Sequence, residues 1–304
     1  MSTVLGRRVI AVWLAGAAVL LVGPVSPVTA QEGERRAILV NVLDRDGNRV
    51  PGLMTANFRG EFRGQPVNVV AAEPDQVPRR VAVLLDRSAS QLRVGPLVLK
   101  SAEELINALT PHHSMVVGTV AGSVLQRSQL TSDRQTLARA LSDVAASEPA
   151  GLSYLYGAVL QACQGLHGPG LGDVVCLFSD CDDTVSSVNS TKMLSVAAQT
   201  GVRVFAILTP SQRPPSAIEK AATSWIFFLA ETTGGSVIRL EDFHRDLPTL
   251  CSMISDAYRV EVAFPKVVEE PRKWKLEVVG PDGKKLPKVQ LVYPHMVSPV
   301  VPPK

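Results

Sequence analysis

The chain has 304 residues, 46% of them hydrophobic and 19% charged, and this apolar fraction excludes a wholly disordered protein. Aromatic residues make up only 5%, which disfavours nucleic-acid binding by base stacking. The formal net charge is +3, so charge offers no argument for binding DNA, RNA or anionic lipid.

Residues 1–30 have the pattern of an export signal. Arg7 and Arg8 precede the apolar run Val9–Val22, and the small residues at 28–30 resemble a cleavage site before Gln31. The run has 14 residues, fewer than the roughly 20 that cross a bilayer. We therefore expect a cleaved signal peptide and a mature chain, without a transmembrane span, that is secreted or periplasmic. An uncleaved N-terminal anchor is the alternative.

Residues 31–78 and 259–296 have the two-residue period of β-strands. Ile38, Val40 and Val42 alternate with other residues in the first segment, and Trp274 and Leu276 alternate with charged residues in the second. Neither segment alone is expected to bury a core. We therefore predict that the two pair into a small β-sandwich, followed by a disordered Pro-rich tail at 297–304.

Residues 79–258 alternate apolar runs with helical patterns. The predicted strands are Val81–Leu85, Met115–Val120, Val174–Phe178, Val202–Leu208 and Val237–Leu240. The predicted helices are Leu97–Leu109, Ser132–Ala146, Tyr154–Leu166, Ser190–Gln199, Ile218–Thr232 and Asp242–Tyr258. Such alternation predicts an α/β fold, a doubly wound and mostly parallel sheet, inserted between the two halves of the β-sandwich.

Oxygen-bearing side chains follow two of these strands and precede one helix. The first strand ends in Asp86, and Ser88 and Ser90 follow it in an Asp-x-Ser-x-Ser pattern. Asp180 follows another strand, and Ser153 precedes a helix. Ligands of open α/β sheets bind beyond the carboxyl ends of the strands. Two carboxylates and three hydroxyls there suit Mg²⁺, or Mn²⁺ or Ca²⁺, and leave a coordination position for a partner's carboxylate.

These residues resemble the von Willebrand factor type A (VWFA) domain and its metal-ion-dependent adhesion site. Asp86, Ser88 and Ser90 match the family's Asp-x-Ser-x-Ser motif, Ser153 stands where the family has Thr, and Asp180 matches its second Asp turn. Cys181 stands where the family usually has Gly. The flanking segments resemble those of bacterial secreted VWFA-related domain proteins. The resemblance implies a VWFA fold and a metal-dependent protein-binding module, as in cell adhesion, with no catalytic residues.

Alternative interpretations of these residues remain open. Asp and Ser are also favoured at helix N-caps without any metal. Because Cys resists backbone angles that Gly permits, the site could be vestigial and the protein an envelope scaffold. A hydrolase with Ser88 or Ser90 as nucleophile would need a histidine base, and none is evident. We interpret Asp182 and Asp183 as loop charges that could support the metal ligands.

Four cysteines are present, and the export signal permits a disulfide. Four cysteines allow three pairings, which the sequence does not decide. Cys163 and Cys176 are the first choice for a pair, because both are expected in the lower half of the domain, and Cys251 competes.

Overall fold

The computed structural model describes residues 34–298, apart from 110, 112, 169, 211–216 and 265–267 and the side chains of 217–223. The predicted signal peptide and residues 299–304 lie outside the described residues. The described strands are β1 (Glu34–Leu43), β2 (Phe58–Phe62), β3 (Gln65–Asp75), β4 (Arg80–Asp86), β5 (Ser114–Val120), β6 (Val124–Gln126), β7 (Val174–Ser179), β8 (Arg203–Leu208), β9 (Val237–Arg239), β10 (Ala257–Phe264), β11 (Arg272–Val278), β12 (Gln290–Val292) and β13 (Met296–Val297). The described α-helices are α1 (Gly95–Ala108), α2 (Arg134–Ala145), α3 (Leu155–Leu166), α4 (Ser190–Thr200), α5 (Ala217–Thr233) and α6 (Phe243–Ser255).

The central region forms a six-stranded sheet in the order β6-β5-β4-β7-β8-β9, parallel except for the edge strand β6. The interior of β4, Val81–Leu85, is apolar because helices cover both of its faces. Val83 and Leu85 pack in the core shared with α1, α2 and α6, whereas Ala82 and Leu84 pack in the core shared with α3 and α5. The predicted doubly wound α/β fold is confirmed. No helix in the described residues has the length and apolar composition needed to cross a bilayer.

The strand order creates a crevice at the carboxyl edge of this sheet. From β4 the chain first adds β5 on one side and later adds β7 on the other. The loops that follow β4 and β7 therefore leave the sheet in opposite directions, and such a switch point is where open α/β sheets bind ligands. Asp86 ends β4, and Asp180 directly follows Ser179 at the end of β7, so both lie at this point.

The terminal segments form a second sheet of seven strands in the order β12-β1-β10-β3-β2-β11-β13. As predicted, the segment before the α/β region pairs with the segment after it, β1 with β10 and β2 with β11. Hydrogen bonds join all seven strands, so this curled antiparallel sheet encloses one core instead of splitting into two separate sheets. That core contains Phe58, Phe62, Tyr258, Phe264 and Trp274.

Two predicted boundaries are wrong. The last helix ends at Ser255 and not at Tyr258, because Tyr258, Val260 and Val262 alternate into the core of the second sheet as part of β10. The tail predicted to be disordered from residue 297 is ordered at its first residue, since Val297 in β13 pairs with Arg272 in β11.

The second half of β1, residues 39–43, is buried on both faces because it lies between the two cores. Val40 and Val42 face the core of the seven-stranded sheet, while Leu43 packs with the α/β core. Asn41 donates to the carbonyl oxygen of Met253 at 3.2 Å and accepts a hydrogen bond from Arg203. A polar contact at the centre of this junction therefore fixes β1 against β8 and α6.

Replacing Arg203 is expected to destabilise this junction strongly. Its guanidinium is 1% exposed and also donates to the carbonyl oxygens of Gly234 (2.8 Å) and Met253 (2.7 Å). Burial lowers the pKa of Arg203 to about 9, and the group stays charged at neutral pH. Arg203→Leu leaves buried acceptors without donors, so we expect a loss of about 3 kcal/mol or more in urea unfolding. The exposed Arg259→Leu serves as the control, and an equal loss in both variants would contradict this role.

The predicted Cys163–Cys176 disulfide is wrong. All four cysteines are free, and Cys163 and Cys176 lie on opposite faces of the central sheet. The reason is strand alternation: in β7, Cys176 points to the same side as Phe178, whereas Cys163 packs with Leu177 on the other side. Burial raises the pKa of the Cys163 thiol to about 12 and that of Cys251 to about 11, so both are poor nucleophiles.

Candidate metal centre

Asp86 is a buried carboxylate at the end of β4, with 1% of its surface exposed. One carboxylate oxygen accepts a hydrogen bond from the backbone N–H of Ser88 (2.9 Å), and the other accepts one from the Ser179 hydroxyl (2.6 Å). Burial raises the pKa of Asp86, and these two hydrogen bonds oppose the rise. The Ser153 hydroxyl also lowers the pKa of Asp86 slightly, so this hydroxyl lies near the Asp86 carboxylate. The two groups form no hydrogen bond of normal geometry.

The two serines of the motif lie side by side. The Ser88 and Ser90 hydroxyl oxygens are 3.1 Å apart, and Gln91 donates from its side-chain amide to Ser90 at 3.3 Å. Gln91 is fully buried and accepts a hydrogen bond from the Thr209 hydroxyl (2.9 Å) at the end of β8. Ser88 precedes a short 3₁₀-helix but makes no capping hydrogen bond with its side chain. The simple N-cap interpretation therefore does not account for Ser88.

Asp180 approaches the same point from β7. Burial raises its pKa to about 6, a hydrogen bond with Ser90 lowers it, and the negative charge of Asp86 raises it further. Since Ser90 and Asp86 both act on Asp180, the motif after β4 and the turn after β7 meet. No Lys or Arg of the described residues forms an ion pair with either carboxylate.

The turn after Asp180 contains a cysteine in a conformation that glycine normally adopts. Cys181 has φ +64°, and its side chain is buried among apolar residues beneath the site. Its backbone N–H donates to the Ser179 hydroxyl (2.9 Å), and its carbonyl accepts from the Trp225 indole (3.0 Å). These contacts hold the left-handed turn despite the Cβ, so Asp180 keeps its place beside Asp86.

Cys181→Gly is expected to be more stable than Cys181→Ala by about 1 kcal/mol, because only glycine adopts φ +64° without steric cost. Both variants lose the buried thiol, so their difference isolates the backbone strain. Urea denaturation midpoints of the two variants measure it. An alanine variant as stable as the glycine variant would show that the turn is unstrained.

Ser153 reaches the site from the loop before α3. Gly151, with φ +80°, makes the turn that the loop requires, and its carbonyl accepts from the Ala89 N–H (3.0 Å). The backbone N–H of Ser153 donates to the Thr184 hydroxyl at 2.8 Å. The Ser153 hydroxyl itself is buried and has no hydrogen-bond partner. A buried hydroxyl without a partner is costly, so this oxygen is available to a ligand.

The supporting acidic residues differ in role. Asp183 accepts hydrogen bonds from the backbone N–H of Tyr156 (3.0 Å) and from the Ser186 hydroxyl (2.6 Å), so it fixes the loop to the start of α3. Asp182 is half-buried, and its backbone N–H donates to the Asp180 carboxylate at 3.4 Å. Neither side chain shows a direct place in the cluster of oxygens; the Asp183 carboxylate and the Asp182 backbone N–H help to hold the turn.

Sequence reasoning missed three polar residues that support the candidate ligands. Ser179 joins Asp86 to the turn at Cys181, and Thr184 and Gln91 position Ser153 and Ser90. A polar residue at the end of an otherwise apolar strand was the available signal for Ser179. Thr184 lies in a loop and Gln91 in a one-turn 3₁₀-helix, and no sequence period fixes the path of either.

The donor set fits a hard divalent cation. In the described residues no three His, Cys, Asp or Glu side chains gather as a metal site, so a site here depends on serine hydroxyls beside two carboxylates. The three candidate hydroxyls of Ser88, Ser90 and Ser153 and the carboxylates of Asp86 and Asp180 are oxygen donors from three loops. Oxygen donors of this kind suit Mg²⁺, Mn²⁺ or Ca²⁺, and two buried carboxylates lacking a cation favour binding one.

The architecture and the oxygen cluster are those that the resemblance to VWFA domains implies. No protein-family model matches the sequence, and no curated protein sequence matches it. Among solved structures, an aerotolerance-related membrane protein from Bacteroides fragilis is 15% identical over 58% of this chain and 98% of its own, with a TM-score of 0.47. A von Willebrand factor type A protein from Catenulispora acidiphila is 11% identical over 87% of this chain and 72% of its own, with a TM-score of 0.47.

Proximal thread matrix protein 1 from the mussel byssus, described with a zinc-occupied metal-ion-dependent adhesion site, is 14% identical over 62% of this chain and 49% of its own, with a TM-score of 0.49. At such values the similarity carries no argument about the site, whose chemistry follows from this chain's own side chains.

Proposed function

We propose that the chain is a divalent-metal-dependent protein-binding module. Mg²⁺, or Mn²⁺ or Ca²⁺, is held by Asp86, Ser88, Ser90, Ser153 and Asp180, and an acidic group of a protein partner completes its coordination. The bound ion supplies positive charge that attracts this carboxylate. The single observation that carries the proposal is the convergence of two buried carboxylates, which no Lys or Arg of the described residues neutralises, with the unpartnered Ser153 hydroxyl.

The electrostatics support a working site over a vestigial one. Asp86 and Asp180 are both buried, and this burial raises the pKa of each carboxyl; the negative charge of Asp86 raises the pKa of Asp180 further. A scaffold would gain stability by losing such charges, since buried carboxylates without a counter-charge are costly. Their presence is explained if a cation neutralises them when the protein works.

We propose a binding role and no enzymatic one. A serine nucleophile needs a base within hydrogen-bond reach. The buried His113 uses both ring nitrogens, with the Arg79 N–H (3.0 Å) and the Ser255 hydroxyl (2.9 Å). His167 contacts the Thr200 carbonyl and His295 contacts Glu231, so these groups are engaged away from Ser88 and Ser90.

We further propose that the protein works outside the cytoplasm, as a secreted or periplasmic module. This proposal depends on the export pattern of residues 1–30: two arginines, a 14-residue apolar run and a small-residue cleavage site. N-terminal sequencing of the protein exported by a bacterial host tests it, and a mature chain that begins at Gln31 is the expected result.

Metal binding is tested first by thermal unfolding of the wild type. Excess MgCl₂ or MnCl₂ in place of EDTA is expected to raise the thermal midpoint by several degrees, because an ion that binds only the folded state stabilises it by mass action. A 100-fold excess over the dissociation constant corresponds to about 2.7 kcal/mol. Equal midpoints in EDTA and in both ions would favour the scaffold alternative.

A further inference from the structure

Large apolar side chains are exposed on the same three loops that carry the candidate ligands. Leu92 follows the Ser88–Ser90 motif and is 53% exposed, Leu152 precedes Ser153 and is 56% exposed, and Val185 follows the Asp180 turn and is 39% exposed. A single exposed leucine is ordinary on a protein surface. Here one lies on each of the three adjoining loops that carry candidate ligands, and exposed apolar side chains grouped beside a site form the kind of surface that interacts with partners.

Backbone hydrogen bonds hold these loops against each other. The Ala89 N–H donates to the Gly151 carbonyl at 3.0 Å, and this bond brings the loop of Leu92 beside the loop of Leu152. The Val185 N–H donates to the Ser153 carbonyl at 3.1 Å, and this bond holds Val185 beside the loop that carries Leu152 and Ser153. The three side chains therefore belong to adjoining loops, the same loops that carry the candidate ligands. We call Leu92, Leu152 and Val185 the apolar rim.

The rim is built on a fixed frame. The Thr184 hydroxyl accepts from Ser153 and donates to its carbonyl (2.8 and 3.2 Å), and the Arg87 carbonyl accepts from the Ala150 N–H (2.8 Å). Arg87 is itself buried, and its guanidinium donates to the Val144 carbonyl at 3.2 Å. A frame held by these hydrogen bonds presents the rim with little reorganisation, which lowers the cost of binding.

We propose that the apolar rim selects a partner whose acidic residue is flanked by apolar side chains on a protein loop. This inference deepens the proposed function and depends on it. The metal accepts the partner's carboxylate, and the neighbouring apolar side chains of the partner pack on Leu92, Leu152 and Val185. A free small carboxylate would cover only the ion, and a strongly polyanionic ligand would leave three apolar side chains in contact with charge. A loop of a folded protein or peptide satisfies both features at once.

Two peptide probes distinguish this specificity from carboxylate binding alone. The first is acetyl-Gly-Leu-Asp-Leu-Gly-amide and the second is acetyl-Gly-Ser-Asp-Ser-Gly-amide, which differ only beside the aspartate. Titration of each into the full mature chain with saturating MgCl₂, followed by backbone amide NMR shifts, gives both affinities. We expect the leucine peptide to bind at least tenfold more tightly than the serine peptide.

The matched variants are Leu152→Ser in the rim and Leu130→Ser outside it. Leu130 is also exposed, at 43%, but the adjacent Thr131 pairs with Met115 near the opposite end of β5. We expect Leu152→Ser to reduce the preference for the leucine peptide to threefold or less and Leu130→Ser to leave it unchanged. Mn²⁺ affinity, measured by calorimetry, should be equal in the wild type and in both variants.

Failures of the inference and of the proposed function give different results. Absence of Mn²⁺ binding by the wild type overturns the metal site and, with it, the inference. Normal Mn²⁺ binding with equal affinity for the two peptides overturns the selective rim alone. Normal Mn²⁺ binding with no binding of either peptide overturns the recognition of a partner's carboxylate as well. Mg²⁺-dependent dimerisation of the wild type in light scattering, lost in Leu152→Ser, would replace the separate partner with a second copy of this chain.

Discussion

Asp86→Ala is expected to lower the affinity of the protein for Mn²⁺ by at least about 100-fold, close to 3 kcal/mol. The variant loses one of two carboxylates at the site and also the acceptor that holds the Ser88 N–H and the Ser179 hydroxyl. Both losses act on the same ion, because the Asp86 hydrogen bonds orient the loop that carries Ser88 and Ser90. Removing residues that only orient metal ligands already costs 10- to 100-fold in affinity in other metal sites.

Isothermal titration of Mn²⁺ into chelator-free protein measures this affinity. Asp86→Asn preserves the volume of the side chain and one acceptor oxygen, so it separates loss of charge from loss of packing. Asp143→Asn, on the exposed side of α2, is the charge-matched control and should bind as the wild type does. Binding by Asp86→Ala within threefold of the wild type would remove Asp86 from the metal site.

The α/β fold was predictable because its signals are local. The apolar run Val81–Leu85 in β4 is continuous because both faces of this strand are buried. The helical pattern of α1 arises because only one face of this helix is buried. The pairing of the two terminal segments was predictable, but the single curled sheet of seven strands was not. A two-residue period shows which side chains face a core and does not show how many sheets enclose that core. The disulfide prediction failed on strand alternation, because the face of Cys176 depends on the packing of helices on β7.

The candidate site was predictable where strand ends determine it. Asp86 and Asp180 terminate neighbouring parallel strands, so the topology alone brings them together. Ser153 has no such constraint, and its place depends on the Gly151 turn and on Thr184, which lies 31 residues away in sequence. The position of Cys181 predicts backbone strain, and its φ of +64° agrees, but the contacts through Ser179 and Trp225 that hold the turn are tertiary and leave no sequence signal.

Asp180→Asn is expected to stabilise the metal-free protein at pH 7.5 by roughly 2–3 kcal/mol while it weakens metal binding. Burial raises the pKa of Asp180 to about 6 from an ordinary value of 3.8, and one pKa unit corresponds to about 1.4 kcal/mol. Because the pKa of Asp180 is higher in the folded protein than in the unfolded chain, protonation of this carboxyl stabilises the folded state. The full stabilisation is present below about pH 3.8, and it is lost as the pH rises through 6. Asparagine is uncharged throughout and avoids this loss.

Urea unfolding in EDTA at pH 4 and at pH 7.5 measures the effect and its sign. The two proteins should differ little at pH 4, where the wild-type carboxyl is protonated in the folded state, and the asparagine variant should be clearly more stable at pH 7.5. A destabilised variant at pH 7.5 would mean that the Asp180 carboxylate is a structural acceptor for Ser90 and not a charge awaiting a cation.

Metal binding should show the opposite dependence on pH. A divalent ion competes with the proton for the carboxylate, so the affinity of the wild type for Mn²⁺ is expected to rise with pH up to about 6, by close to tenfold per unit, and then to level off. Protonation of Asp86, whose pKa is also raised by burial, steepens the rise at lower pH. The Asp180→Asn variant should bind weakly and without the transition near pH 6. A wild-type affinity that is constant between pH 5 and pH 7.5 would place the ion away from Asp180, because an ion that contacts this carboxylate must displace its proton.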